Sequence, residues 1–160
     1  MRKIIIILIT IIIVVSIVGI LTILKTNNRS IYPNLSEKAI AFHATEFIDD
    51  KDDSGYLVIE YNGRKYMPYG TIKRSLKEND IEKCIGYLVQ DENTTSMPDE
   101  NNTDTRIYSL TEDKENNFLM EYYIGTTLMN QPSFWRAIDT KGKDIVIPDY
   151  IDLLDYTYWK

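Results

Sequence analysis

The sequence predicts an α+β domain with a mostly antiparallel sheet and two or three helices, carried behind a single N-terminal transmembrane helix. Three observations lead there. Residues 4–24 contain no charged side chain. Asn62-Gly63 stands between two runs rich in Tyr, Val and Ile, the signature of a hairpin. Stretches with apolar residues three or four apart alternate with short β-prone runs.

Of the 21 residues from Ile4 to Leu24, 17 are Ile, Leu or Val, the exceptions being Thr10, Ser16, Gly19 and Thr22. As a helix this run spans about 31 Å, matching a hydrocarbon core of about 30 Å. In water the same β-branched run is a poor helix and an aggregation hazard. A cleaved signal peptide has a shorter apolar region and a small-x-small site; here Ile17-Val18-Gly19 is the best imitation and lies inside the run. A lipoprotein needs a cysteine just after the run, and the single cysteine is Cys84. Arg2 and Lys3 before the run, against the looser Lys25 and Arg29 after it, place residues 1–3 in the cytoplasm and the rest outside. The organisation expected is a stub (1–3), a membrane helix (4–24), a tether (25–33) and an extracytoplasmic domain (34–160).

Three of the 18 basic residues (Arg2, Lys3, Lys25) precede residue 26, whereas all 24 acidic ones follow it. That leaves 15 against 24, about −9 for the outer part. Such a charge opposes nucleic acid and anionic headgroups as partners. With one cysteine the domain has no intramolecular disulfide and stands on its apolar core.

Taken in order, Asn34 with Glu37 has capping-box spacing, and Ile40, Ala44, Phe47 and Ile48 share one helical face, so a helix is expected over 35–48. Residues 49–55 (DDKDDSG) end it. Residues 56–61 and 64–69 form the hairpin around Asn62-Gly63, and Pro68 is expected to confine the second strand to an edge or to end it. Ile72 and Leu76, four apart, suggest a short helix over 71–80, and 84–90 reads as a strand. Residues 91–105 form a polar, solvated loop. A second hairpin joins 106–110 to 118–124, and a third joins 133–139 to 144–148. Ile151, Leu154 and Tyr158 suggest a closing helix over 150–159. The count is six or seven strands.

Candidate chemistry is sparse. His43, the single histidine, stands one position off the apolar helical face and reads as a boundary residue, not a catalytic base. Cys84 opens an apolar strand and reads as a small core residue. Asp50, Asp52 and Ser54, with Gly55, match the opening of a calcium loop, but Tyr61 takes the place of the bidentate Glu, so an acidic turn is preferred. Twelve tyrosines and two tryptophans suggest either half-buried strands or a stacking face, and Tyr56, Tyr61, Tyr66, Tyr87 and Tyr122 all fall in predicted strands. No catalytic residue, metal or cofactor is assigned.

The layout resembles the small uncharacterised membrane-anchored exported proteins of Gram-positive bacteria. The hairpin YLVIEYNGRKYMPYG (56–70) is also similar to those of copper-amine-oxidase-like stalk domains of cell-envelope proteins, over 15 of 160 residues. That family's repeats and following helix are missing from the remainder. The resemblance implies an envelope-facing, non-catalytic role. The expected function is therefore a membrane-anchored extracytoplasmic domain that binds a protein or wall component or supports an envelope process. The alternative is a carboxylate-dependent hydrolase.

Overall fold

The computed structural model describes residues 31–48, 55–89, 103–125, 131–154 and 157–159. They build one sheet of nine strands: β1 (Leu35–His43), β2 (Thr45–Ile48), β3 (Gly55–Tyr61), β4 (Arg64–Ile72), β5 (Ile81–Val89), β6 (Thr105–Leu110), β7 (Phe118–Tyr123), β8 (Ser133–Ala137) and β9 (Ile151–Leu153). The order across the sheet is β1-β5-β6-β7-β8-β4-β3-β2, with β9 on β4. Every pairing is antiparallel except β1 on β5. The two outermost strands, β1 and β2, are consecutive stretches of one segment separated by Ala44. This segment runs along β5 with its first part and along β3 with its second, so the sheet curls into a half-barrel whose ends meet.

Alternation along the strands sorts the apolar side chains onto two faces. Inside the curl pack Phe42, Ile59, Tyr66, Ile85, Ile107, Leu119, Trp135 and Ala137, drawn from both ends of the sheet. Their neighbours Tyr108, Leu110, Phe118, Met120 and Phe134 point the other way. Leu76 and Tyr150 from loops and Ile151 from β9 cover that outer face, together with Ile31 and Tyr32. Two arginines fasten the coverings. Arg74 spans Asp80 at 2.8 Å and Asp149 at 2.6 Å. Arg136, 8 % exposed, lies over the rings of Tyr69, Phe118 and Trp159 and donates to Thr140 Oγ1 and to the Thr140 carbonyl, each at 2.8 Å.

The domain is mostly β, which corrects the α+β expectation. Its helical segments, among the described residues, are three-residue 3-10 turns at Glu78–Asp80, Ile138–Thr140 and Thr157–Trp159. The helix expected over 35–48 is instead β1 and β2. Two residues of the supposed apolar face, Ile40 and Ile48, are 43 % and 56 % exposed, while Phe42, which lies off that face, is 2 % exposed. Pairing to β5 and β3 satisfies the backbone of the segment, whereas an isolated helix of that length is marginal.

The helix expected over 71–80 is the end of β4, a loop and a 3-10 turn, in which Asp80 accepts a hydrogen bond from the Lys77 backbone N–H at 2.7 Å. The closing helix over 150–159 is replaced by β9 and the last 3-10 turn. Ile151 is buried but Leu154 is exposed, so the two share no face. Residues 144–148 form no strand; β8 pairs with β7 and β4 instead of making a third hairpin.

The hairpin at Asn62-Gly63 forms as expected, both residues having positive φ (51° and 74°). The Pro68 expectation fails: β4 lies inside the sheet and runs on to Ile72. One side of β4 faces β3 over residues 64–66 and β9 over residues 70–72, and Pro68 occupies the changeover. A bulge against β8 falls there too, so its missing N–H interrupts no ladder. The hairpin of 106–110 with 118–124 is present as β6 and β7.

Several expectations fall outside the described residues: the cytoplasmic stub, the transmembrane helix over 4–24, the calcium candidate Asp50, Asp52 and Ser54, and most of the loop 91–105, whose last residue already begins β6. Among the described residues no helix is long and apolar enough to cross a membrane.

Candidate binding cleft

The closing seam of the half-barrel is imperfect, and its imperfection makes a cleft. Leu35 pairs with Cys84 and Ile40 with Gly86, so residues 36–39 of β1 stand opposite the single residue Ile85 of β5. β1 therefore bows away from β5 and returns to register at Ile40. The return is tight. A Cβ at Gly86 would collide with the Ile40 carbonyl oxygen and come within 2.6 Å of the Phe42 ring. Below the bow lies a space of about 330 Å³, lined by Asn34, Ser36, Lys38, Ile40, Tyr61, Lys83, Cys84 and Ile85.

Strand periodicity explains the lining. Asn34, Ser36, Lys38 and Ile40 are alternate residues, which a β-strand directs to one side. Tyr61 reaches in from β3, with its ring 6.0 Å from that of Phe42. Ser36 Oγ accepts a hydrogen bond from the Lys38 backbone N–H at 3.2 Å, which holds the bow in shape. Among the described residues neither Lys38 nor Lys83 has a carboxylate in ion-pairing range, in contrast to Arg64, Lys65 and Arg74. The charged side chains of the lining are thus two ammonium groups, in a domain rich in acid.

The residues singled out in the sequence are dispersed. His43 ends β1 on the surface, opposite Val89. Cys84 is buried with its thiol directed to the Gly86 carbonyl, and burial pushes its pKa up, the opposite of an activated nucleophile. Among the described residues no three His, Cys, Asp or Glu side chains converge to hold a metal ion. Of the tyrosines of the predicted strands, Tyr66 is fully buried in the core, Tyr56, Tyr87 and Tyr122 are half-buried, and the half-buried Tyr61 also lines the cleft.

Of the carboxylates a hydrolase could use, Asp80 is buried and ion-paired to Arg74, and Glu121 is half-buried. Glu121 is held by the indole N–H of Trp135 at 2.8 Å, and burial raises its pKa although Trp135 and Ser133 act in the other direction. Its partners are thus hydrogen-bond donors and not a second acid, and it is not part of the cleft lining.

Reading 35–48 as a helix hid Ser36 and Lys38, because the alternation at 34, 36, 38 and 40 mixes polar and apolar residues and lacks the usual apolar-polar beat of a strand. Comparison with protein families, curated proteins and solved structures finds no match for this chain.

Proposed function

We propose that this chain is a membrane-tethered extracytoplasmic binding module, anchored through residues 4–24, whose seam cleft receives a protein or cell-wall component. The observation that carries the reading is the cleft lining: an amide, a hydroxyl, a phenol and two ammonium groups that have no ion-pair partner among the described residues, around isoleucine side chains. Polar groups converging on apolar side chains in this way can orient and hold a ligand. Among the described residues the lining has neither a carboxylate nor an imidazole to move a proton. The uncharged apolar run of residues 4–24 supports the anchor, and the surplus of acid beyond it argues against nucleic acid. A carboxylate hydrolase gains no comparable support, since Glu121 has no acidic partner beside it among the described residues.

The test is site-resolved crosslinking in intact cells. A photoreactive amino acid replacing Lys38 should give a discrete crosslinked envelope component, and the same group replacing Val146, 91 % exposed in the loop 144–148, should not. Equal crosslinking from both positions, or none from Lys38, contradicts the reading.

A further inference from the structure

Building on the cleft as the binding site, we infer that its ligand is a carboxylate carried on an apolar stem. The sign of the charge comes first. The outer part of the chain has 15 basic and 24 acidic residues, yet both charged side chains of the lining are lysines. Strand alternation sends Glu37 to the side of β1 opposite Lys38. Among the described residues Lys38 and Lys83 have no ionic partner, and two such cations at the exposed rim of a recess set up a positive potential there, against the background of the domain.

Shape and donor type then narrow the anion. A space of about 330 Å³ is at the small end of the range for ligand sites, which suits a compact molecule. Lys38 and Lys83 supply point charges, and Ser36 and Asn34 can add neutral hydrogen bonds, enough for a planar monoanion. A phosphate dianion is usually cradled by arginine forks or successive backbone N–H groups, and the lining has no arginine. Ile40 and Ile85 form the apolar part of the wall, where a short aliphatic stem excludes water. A free small acid and the C-terminus of a peptide share this chemistry.

The experiment uses the full-length protein in discs of zwitterionic lipid, with ligand-observed NMR of four probes: hexanoate, hexanamide, hexyl phosphate and the peptide acetyl-Ala-Ala-Val with a free carboxylate. Hexanoate should bind and its neutral amide should not. Lys38→Gln with Lys83→Gln should weaken hexanoate by about tenfold or more while the fold, followed by circular dichroism, is unchanged. Tighter binding of the peptide than of hexanoate assigns the site to chain termini, and the reverse order to small acids. Equal binding of hexanoate and hexanamide, tighter binding of hexyl phosphate, or hexanoate binding indifferent to the two lysines overturns the inference. If that happens while the Lys38 crosslink persists, only the carboxylate falls and the cleft stands. If the crosslink is also lost, the reading beneath it falls too.

Discussion

The indole N–H of Trp159 donates to the carbonyl oxygen of Pro68 at 2.8 Å. Pro68 sits where β4 changes partners from β3 to β9, so its carbonyl is served from outside the sheet. The same indole lies 5.0 Å from the Arg136 guanidinium, and its ring meets Tyr69 edge-on at 5.4 Å. One side chain therefore joins the bulge in β4, the buried arginine and the outer cluster.

Trp159→Phe should remove the hydrogen bond and weaken the contact with Arg136 while keeping most of the apolar area. The expected loss is about 1–2 kcal/mol of unfolding free energy, measured by urea denaturation. Arg136→Lys, which cannot reproduce both bonds to Thr140, should cost about 2–3 kcal/mol. A Trp159→Phe protein as stable as the parent would show that the turn Thr157–Trp159 is not fastened in solution.

Two glycines should respond differently to alanine. Gly63→Ala forces a side chain onto positive φ in an open turn, a local strain of about 1 kcal/mol. Gly86→Ala pushes a methyl group into the Ile40 carbonyl and the Phe42 ring, so β1 must leave β5. About 3 kcal/mol is expected, with loss of amide hydrogen-exchange protection over residues 40–43. Equal effects of the two substitutions would contradict the close approach of β1.

The pH dependence has two opposed contributions. Burial works against ionised Asp80, but the Arg74 guanidinium and the Lys77 N–H outweigh it and hold its pKa below the ordinary value. Its stabilising effect is present above the unfolded-state pKa and is lost as pH falls through the folded one. Asp80→Asn should flatten that acid limb and cost about 2 kcal/mol at pH 7. Glu121 has a raised pKa, so its ionisation opposes folding, and this penalty appears as pH rises from the unfolded-state pKa through the folded one. Glu121→Gln should therefore stabilise the domain at pH 7 and lose its advantage below pH about 4. Denaturation of the parent and both variants across pH 3–8 checks the two signs.

Replacing Ile12 and Ile13 with Arg should remove about 5–7 kcal/mol of membrane-insertion free energy, on a scale of roughly 2.5–3.5 per charge. The double variant should then be extracted by alkaline carbonate, and continued resistance would contradict the anchor.

What the sequence disclosed was whatever depends on near neighbours. Asn62-Gly63 needs only its own backbone preference to make a turn, and β6 with β7 is a short-range hairpin. Cys84 was recognisable as core because apolar residues follow it. The segment 35–48 was misread because its conformation is decided by strands outside it: His43 pairs with the distant Val89, and Thr45 with the nearer Val58. Its spacing satisfied a helical pattern by coincidence, and helical propensity yields to such tertiary pairing. Val146 and Ile147 looked like strand residues, yet they stand 91 % and 45 % exposed in a segment with no strand partner. The cleft depends on a register slip of β1 against β5, a quantity with no local signal, so its lysines were invisible as a pair.

The segment Leu35–Ile48 supplies both margins of the sheet, and this has a kinetic consequence. It precedes every strand it needs: β3 follows within a few residues, but β5 emerges more than thirty residues later. Synthesis thus presents this segment before its long-range partner exists, and it becomes fixed only once β5 is in place. Pairing across such a separation slows folding. Until then its first part, β1, is an unpaired ribbon open to chaperones, proteases or a neighbouring chain.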